Sequence, residues 1–265
     1  MKKNTYKSIY HKESALRGFS LYENSSSEKK DISDYLLTLI NNESKSKKSY
    51  KILDLGGGSG LIWLKFKNGI TNNLKLKTRI VLVDSSIKQI RQAKLFIPDC
   101  NWFKSIHSDA YDFLQKSKRK FDLICCIHLL AGFNEENKKL IIKLCLSKLK
   151  KDGKLLIIHP NSNNPLSLIK KHINKKYFDE NIPKSKIIIP SDKKIQVMTK
   201  KSNFIVNKDD LNNLIHFLFA DKIKSNNYEE INLSRIYRFI EKRLDCNNLL
   251  CKTSLINDYY LIHNS

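Results

Sequence analysis

The sequence predicts an α/β fold in which a mostly parallel sheet is covered by helices on both faces. Short strands that are apolar throughout alternate with helical segments from residue 50 to residue 160. Such strands are typical of parallel sheets, because both of their faces are buried. A third observation is the stretch "KILDLGGGSG" (51–60), which places four of the chain's eight glycines at the exit of the first strand.

The alternation is preceded by one predicted helix and then contains five strands and three helices. The spacing of apolar residues at i, i+3 and i+4 predicts a helix over 31–42, which Asp31 or Ser33 could cap. Continuous apolar runs predict strands, and the segments between them have helical periodicity. The predicted strands are 50–55, 79–84, a short one within 101–109, 121–130 and 154–160, and the predicted helices are 59–69, 85–96 and 134–149.

The pattern is looser after Pro160. A helix is predicted over 164–178, with Asn164 as its cap and Pro165 at its first position. Residues 183–194 are predicted to form a loop or a short strand. Two further amphipathic helices, over 207–219 and 234–244, and a final strand over 254–263 complete the chain.

The composition limits the class of protein. With 265 residues and 41% hydrophobic residues, the chain can bury a sizeable core. No stretch approaches the 18 or so apolar residues of a membrane span, and the basic start is followed by polar residues rather than by the apolar segment of a secretory signal. The six cysteines show no metal-binding spacing, and Cys125 and Cys126 lie in an apolar run, as buried free thiols do. A cytoplasmic location is therefore expected.

The net charge of +23 allows two interpretations. A strongly basic chain suits a nucleic-acid partner. The lysines, however, are spread along the chain and form no single block, which favours a diffuse, solvated basic surface. The groove for nucleic acid stays as the alternative.

The spacing of the glycines separates three kinds of ligand loop. A phosphate-binding P-loop requires Lys and Ser or Thr after its last glycine, but Leu61 follows Gly60. A dinucleotide-binding loop requires glycine at position 61. The pattern Asp54-x-Gly56-x-Gly58-x-Gly60 instead resembles the loop of class I S-adenosylmethionine (SAM) methyltransferases. Glycine suits such a loop, because the chain turns sharply there and the ligand lies against bare backbone.

Acidic residues after the next two strands agree with this resemblance. Asp84 ends the strand 79–84 and could accept hydrogen bonds from both ribose hydroxyls, or it could cap the following helix. Asp109 follows the third strand, where the superfamily often holds the adenine amino group; a helix cap is again the alternative. The resemblance therefore implies SAM as cofactor, S-adenosylhomocysteine as product and no metal.

Several stretches further resemble the histamine N-methyltransferase family. They are "KILDLGGGSG" (51–60), "VLVDSSIKQI" (81–90), "FDLICCIHLL" (121–130), "FIVNKDDLNNLI" (204–215), "SRIYRFIEKRLDC" (234–246) and "LINDYYLI" (255–262). In that family a glutamate stands where this chain has Asp84, a substrate-binding glutamine where it has His128, and an Asn-Asn pair where it has Asn257 and Asp258. The glutamate that binds the substrate amine could correspond to Glu23, to Glu28 or to neither.

Together, the motifs and the resemblance imply a set of site residues. The cofactor-binding residues are Asp54, Gly56, Gly57, Gly58, Gly60, Asp84, Ser85, Gln89, Asp109, Ala110 and Ile127. The substrate-binding residues are Phe19, Tyr22, Glu23, His128 and Asp258, and His128 is also the catalytic base. Asp258 can join His128 only if the last strand lies alongside the fourth and places that residue near the same rim.

The implied fold is the Rossmann-like class I methyltransferase fold, with seven strands and with helical insertions after strands 5 and 6. A single domain is expected, with an N-terminal helical cap over 1–45, a SAM-binding half over 46–160, and substrate-side helices and the last strands over 161–265.

The implied reaction moves a methyl group to a nitrogen of a small, histamine-like amine or heteroaromatic acceptor by in-line displacement. Alternatives are a peptide or natural-product amine as acceptor, an RNA methyltransferase, and a SAM-binding regulator. The Asn/Asp-Pro-Pro-Tyr/Phe motif of enzymes that methylate base amines is replaced by "CIHLLAGF" (126–133), which disfavours a nucleic-acid substrate.

Overall fold

The computed structural model describes residues 13–177, 187, 189–218 and 233–264. These residues fall into two compact units. The sheet unit comprises Lys29–Asn161, Ser185–Lys200 and Asn257–Ser265, and the accessory unit comprises Met1–Glu28, Ser162–Lys184 and Lys201–Ile256. The single domain expected from the sequence stays a prediction.

The sheet has seven strands in the order β3-β2-β1-β4-β5-β7-β6. The strands are β1 (Tyr50–Leu55), β2 (Thr78–Asp84), β3 (Phe103–His107), β4 (Phe121–Ile127), β5 (Leu149–Pro160), β6 (Ile195–Asn207) and β7 (Leu250–His263). The five strands β1 to β5 are parallel to one another, and β7 pairs antiparallel with β5. The mostly parallel seven-stranded sheet predicted from the sequence is confirmed.

Ten α-helices connect and flank these strands in the described part of the chain. They are α1 (Glu13–Ser25), α2 (Glu28–Glu43), α3 (Leu61–Gly69), α4 (Asn72–Lys77), α5 (Ile87–Phe96), α6 (Ala110–Lys116), α7 (Glu135–Ser147), α8 (Pro165–Tyr177), α9 (Leu211–Leu218) and α10 (Leu233–Arg243). As expected, helices follow both β5 and β6. No helix in the described ranges has the length and apolar character that crossing a membrane requires.

Both faces of the sheet unit are buried. Residues of α2, α3 and α5 form one core with one face of β1, β2 and β4, and residues of α6 and α7 form a second core with the opposite face. Ile52 and Leu53 are neighbours in β1 that are both fully buried, one in each core. This two-sided burial is the reason why the strands are apolar throughout.

Several boundaries differ from the sequence prediction, and for three of them the structure gives a local reason. α2 begins at Glu28, whose N–H donates to Ser26 Oγ at 3.0 Å, so neither Asp31 nor Ser33 is its cap. β4 ends at Ile127 because His128 leaves the extended conformation. β5 begins five residues before the predicted Lys154, in a stretch where its register with β4 is irregular; Gly153 packs closely there, and a Cβ on it would lie 2.9 Å from Phe121 O.

The accessory unit has its own hydrophobic core, built from α8, α9, α10 and parts of β6 and β7. Asn164 caps α8 as predicted, since its Oδ1 accepts from Leu166 N–H at 3.1 Å. The structure also pairs Cys246 with Cys251 in a disulfide, which their spacing did not predict. Cys125 and Cys126 are free and buried, as expected. The predicted helix over 207–219 begins as a short 3-10 turn at Lys208, and position 219 lies outside the described residues.

Candidate functional site

The loop after β1 owes its shape to glycine. Gly56, Gly58 and Gly60 have φ values of 69°, 57° and 74°, in the left-handed region that side chains disfavour. The Gly56 N–H donates to Val83 O at 2.7 Å, and Gly60 O accepts from Trp63 N–H at 2.9 Å in the first turn of α3. The loop is therefore held against the end of β2 while the chain turns into the helix.

The glycines of this loop face two different surroundings. A Cβ on Gly57 would lie 2.5 Å from Asp54 Oδ2 and 2.6 Å from Leu82 Cγ, so this position is closed by the protein itself. Among the described residues, a Cβ on Gly58 would meet only Gln89 Oε1 within 4 Å, at 3.8 Å. Gly58 therefore borders open space, and a ligand can lie there against the backbone.

Asp84 joins the ends of the first two strands. Its Oδ2 accepts from Gly58 N–H at 3.0 Å, and its Oδ1 accepts from Ser86 N–H at 2.8 Å. Burial raises the pKa of Asp84, although these two hydrogen bonds and nearby His107 oppose the rise. The cap of α5 is Ser86, whose Oγ accepts from Gln89 N–H at 3.4 Å, so the cap proposed for Asp84 belongs to the residue two positions later.

Two buried side-chain oxygens near the loop have no hydrogen-bond partner among the described residues. One is Gln89 Oε1, which lies on the open side of Gly58. The other is Asp54 Oδ1; Trp63 Nε1 donates to the second oxygen, Asp54 Oδ2, at 2.7 Å. Burial raises the pKa of Asp54 to about 6. Because buried acceptors are seldom left unpaired, these oxygens suit a ligand that brings hydroxyl or ammonium donors.

Asp109 and Ala110 begin α6. Asp109 Oδ1 accepts from Tyr111 N–H at 2.7 Å and from Asp112 N–H at 3.3 Å, so Asp109 is the cap of this helix. Its side chain is exposed, and Ala110 is buried behind it. Ser85 O lies 3.0 Å from His107 Nε2 at the end of β3. Contacts of Asp109, Ala110 and Ser85 with a cofactor stay predictions.

His128 occupies the first position after β4. Its φ of 56° is left-handed, which strains a residue with a Cβ. Its N–H donates to Ile158 O at 2.9 Å, and its side chain is half-buried. Ile127 before it is buried in the core, whereas Leu129 after it packs on the glycine loop, since a Cβ on Gly56 would lie 2.8 Å from Leu129 Cδ1. The segment that carries His128 is thus in contact with the candidate cofactor loop.

Asp258 lies opposite His159 in the pairing of β7 with β5. The last strand therefore joins the fifth strand and not the fourth, which corrects the placement expected from the sequence. Asp258 accepts from Asn161 Nδ2 at 2.9 Å on both oxygens, and Oδ1 also accepts from Thr199 Oγ1 at 2.7 Å. His159, Asn161 and Thr199 carry no sequence signal as site residues, because only the register of β7 brings them together with Asp258.

His159 is a buried histidine in this cluster. Burial lowers its pKa to about 4, and the charges of His128 and Lys138 act in the same direction, while Asp258 and Glu135 oppose it. The His159 imidazole is therefore neutral at neutral pH. His128, His159 and Asp258 together place ionisable groups at the carboxyl ends of β4 and β5.

The predicted substrate residues of the N-terminal segment belong to the accessory unit. Tyr22 Oη donates to Glu28 Oε2 at 2.9 Å, and the Tyr22 ring lies 6.0 Å from that of Phe204. Glu28 is fully buried. The side chain of Phe19 lies outside the described residues. Substrate binding by Phe19, Tyr22 and Glu23 stays a prediction. Within the described ranges, no group of three or more His, Cys, Asp or Glu side chains is placed to hold a metal ion.

Comparison with known proteins agrees with this architecture. The family model for the methyltransferase domain matches residues 46–228. No curated protein matches the chain in sequence. The matched family is a general one, and no comparison supports the narrower resemblance to histamine N-methyltransferases.

Solved structures share the fold at low sequence identity. The plantazolicin methyltransferase BamL, solved with a triazolic desmethyl-plantazolicin analogue and S-adenosylhomocysteine, is 15% identical, with a TM-score of 0.52 over 97% of this chain and 93% of its own. Its counterpart BpumL is 14% identical, with a TM-score of 0.53 over 97% and 94%. A candidate methyltransferase of Bacillus halodurans is 12% identical, with a TM-score of 0.51 over 86% and 98%. The chain therefore belongs to the methyltransferase domain family and has the Rossmann-like fold of class I SAM-dependent methyltransferases.

Proposed function

We propose that this protein transfers a methyl group from SAM to a nitrogen atom of an amine or heteroaromatic acceptor. The observation that carries the proposal is the arrangement around Gly58. Its missing side chain borders open space, its N–H donates to Asp84, and the buried Gln89 Oε1 faces the same space with no hydrogen-bond partner in the described part of the chain. A cofactor with a ribose and an amino-acid end fits these groups.

The chain's own residues divide the task of holding this cofactor. The bare backbone of Gly58 permits close approach, and the carboxylate of Asp84 is placed at the strand end where the ribose lies in this fold class. Gln89 offers its amide oxygen to a donor of the ligand. When bound, SAM supplies a methyl group on a positively charged sulfur, which is intrinsically reactive toward a nitrogen lone pair.

We assign the acceptor side to His128 and His159, at the ends of β4 and β5, and to Asp258, which lies opposite His159 in β7 rather than beside β4. A nitrogen nucleophile must carry a free lone pair, so an alkylammonium acceptor must first lose a proton, and His128 is the base that we assign to this step. The neutral His159 can position an acceptor by hydrogen bonding without adding charge. Asp258, fixed by Asn161 and Thr199, can bind a second, cationic nitrogen. Positioning of this kind can contribute about 7–11 kcal/mol in favourable cases.

Two acceptor classes fit this arrangement. The resemblance to histamine N-methyltransferases favours a small amine or heteroaromatic. The fold shared with the plantazolicin methyltransferases, which bind azole-containing analogues, is consistent with a peptide or natural-product amine. Both classes present a nitrogen nucleophile, so the same residues serve either.

Transfer of a tritiated methyl group from SAM separates these classes. The protein is incubated with a panel of small amines and azoles, a panel of peptides with free amines, and total RNA, and Gly58→Val serves as the cofactor-deficient control. We expect label in the small-molecule or peptide panel and none with Gly58→Val. Label in RNA alone would show that the proposed acceptor is wrong, although SAM remained the donor.

A further inference from the structure

Positive charge is concentrated at the amino ends of four neighbouring strands. The segments 45–51, 75–79, 116–120 and 148–152 directly precede or open β1, β2, β4 and β5. Their 22 residues contain fourteen lysines and arginines and a single acid, Asp152. They therefore hold 13 of the 23 net positive charges of the chain. We name these four segments the amino-edge patch.

The topology of the sheet brings the four segments together. β2, β1, β4 and β5 are consecutive in the strand order and parallel, so their amino ends share one edge. At a spacing of about 4.8 Å between strands, this edge is about 15 Å wide. The concentration differs from the diffuse basic surface that the sequence analysis favoured, because segments that are distant in sequence meet here.

Part of this charge is used inside the protein. Buried Asp122 accepts from Lys47 Nζ at 2.9 Å and from Lys150 Nζ at 2.6 Å. Lys148 Nζ donates to Ser117 O at 2.7 Å, and Lys120 donates to Ser147 O. These contacts also show that the segments before β1, β4 and β5 are in direct proximity.

Three more cations precede or open β2: Lys75 lies over the Trp102 ring, Lys77 is half-buried, and Arg79 donates to Thr78 O at 3.0 Å. The other seven cations of the patch are exposed, namely Lys45, Lys48, Lys51, Lys116, Lys118, Arg119 and Lys151. Among the residues that the structure describes, no carboxylate lies within ion-pair distance of these seven side chains. Contacts within the protein therefore involve only part of the positive charge of the patch. The seven exposed cations face solvent without a carboxylate partner among the described residues.

We propose that the amino-edge patch binds the phosphodiester backbone of a double-stranded nucleic acid without reading its sequence. A duplex presents about one negative charge per 1.7 Å of its axis, so a 15 Å edge spans about nine phosphates of its two strands. The seven exposed cations, all on the segments of β1, β4 and β5, are enough to contact several of them. Lysine and arginine contacts to phosphates position a protein on a duplex but carry no base information.

The composition of the patch favours a duplex over the other polyanions. Single strands are held by exposed aromatic side chains that stack on bases. The aromatic residues beside this edge, Tyr50 and Trp102, are buried. A membrane surface would be bound better with exposed apolar residues among the lysines. Among the side chains that the structure describes, the exposed large hydrophobic residues all lie outside the four segments, namely Ile87, Leu95, Ile195, Val197, Ile205 and Leu249.

This binding is separate from methyl transfer. The glycine loop, Asp84 and His128 lie at the carboxyl ends of the strands, whereas the patch lies at the amino ends. The seven-residue β4 spans about 23 Å between the two edges. A duplex on the patch is therefore a docking partner and not the methyl acceptor, and the inference does not depend on the proposed reaction.

Fluorescence anisotropy with labelled duplexes of arbitrary sequence tests the proposal. The probes are a DNA and an RNA duplex of about 20 base pairs, a single strand of the same length, and phosphatidylserine vesicles, in about 50 to about 200 mM salt. The patch variant is Lys48→Glu, Lys118→Glu and Lys151→Glu combined. The matched control reverses three exposed helix cations elsewhere, Arg91→Glu, Lys139→Glu and Lys143→Glu. Melting temperatures verify that both variants fold.

We expect the wild type and the control to bind both duplexes, with a slope of log K against log salt of about −4 to −6, since each neutralised phosphate contributes about 0.9. The patch variant should bind at least about tenfold more weakly. Equal losses in the two variants, absence of duplex binding at low salt, or tighter binding to the single strand or to the vesicles would each overturn the proposal.

Discussion

The backbone N–H of Gly58 donates to Oδ2 of Asp84 at 3.0 Å, which ties the loop after β1 to the end of β2. The same carboxylate accepts from Ser86 N–H through its other oxygen. Asp84 therefore shapes the candidate cofactor site as well as facing it. Because both oxygens of Asp84 accept hydrogen bonds from the backbone, removal of its side chain should affect the stability of the fold as well as cofactor binding.

Asp84→Ala should weaken both cofactor binding and folding. The hydrogen bonds of Asp84 to the N–H groups of Gly58 and Ser86 are lost, so the free energy of unfolding should fall by about 1–3 kcal/mol. Calorimetry should also show about 1–3 kcal/mol less SAM affinity, because the ribose loses its proposed acceptor and the loop is no longer tied to β2. Ser86→Ala is the control, because it removes only the cap of α5, at about 1 kcal/mol of stability. Unchanged SAM affinity in Asp84→Ala would remove Asp84 from the cofactor site.

Gly57 and Gly58 should respond oppositely to alanine. A Cβ on Gly57 collides with Asp54 and Leu82, so Gly57→Ala should lower the melting temperature strongly. A Cβ on Gly58 enters open space, so Gly58→Ala should stay folded at a cost of about 1–2 kcal/mol for its left-handed backbone. Its SAM affinity should fall by much more than that of a surface variant. Full SAM affinity in folded Gly58→Ala would contradict the assignment of this space to a ligand.

The left-handed backbone of His128 allows strain and function to be separated. His128→Gly relieves the strain and should be about 1 kcal/mol more stable than His128→Ala in urea unfolding. Both variants should keep SAM affinity and lose most turnover, because they lack the base. If His128→Gly turned over as fast as the wild type, the histidine would have no part in catalysis.

The buried His159 should make the fold sensitive to mild acid. Its folded pKa of about 4 lies below the ordinary value of 6.5, so the unfolded chain binds more protons between these pH values. Stability should therefore fall as the pH drops from 6.5 to 4, by up to about 3 kcal/mol. Urea unfolding of the wild type and of His159→Gln across this range measures the effect, and identical pH profiles would show that His159 does not contribute to it.

Asp54 should make the pH dependence of stability opposite in sign to that expected for His159. Its folded pKa of about 6 lies above its ordinary value of 3.8, so the folded chain binds the extra proton, and stability should fall as the pH rises through this window. Asp54→Asn keeps an acceptor for Trp63 and removes the titration. Relative to the wild type, it should gain up to about 3 kcal/mol between pH 3.8 and 6. A constant difference between the two proteins would contradict the raised pKa.

The sequence predicted those parts of the structure that depend on local patterns. β1 has the predicted limits, and α8 has its predicted cap, because apolar runs and the Asn164-Pro165 pair act locally. The arrangement around Asp258 could not be predicted in this way, since it depends on the register of β7 with β5. β6 was missed for a related reason: its residues before Ser202 are mostly exposed and carry no apolar alternation.

The site shows the same division between local and distant information. The glycine loop could be predicted from the sequence, because its left-handed φ values are ones that glycine adopts without strain and other residues disfavour. The left-handed backbone of His128 and the burial of His159 could not be predicted from the sequence. Neither the backbone angle of a histidine nor its desolvation produces a pattern in the neighbouring residues.

The length of β4 has a consequence for how this protein can change. Exposed charges more than a Debye length apart, about 8 Å in physiological salt, hardly affect each other, and the two edges of the sheet are about 23 Å apart. Lysines can therefore be gained or lost at the amino edge without changing the pKa values of the ionisable groups beside His128. In evolutionary terms, the charge of one edge can change independently of the other. A new docking partner can therefore be acquired at the amino edge while the chemistry at the carboxyl edge stays the same.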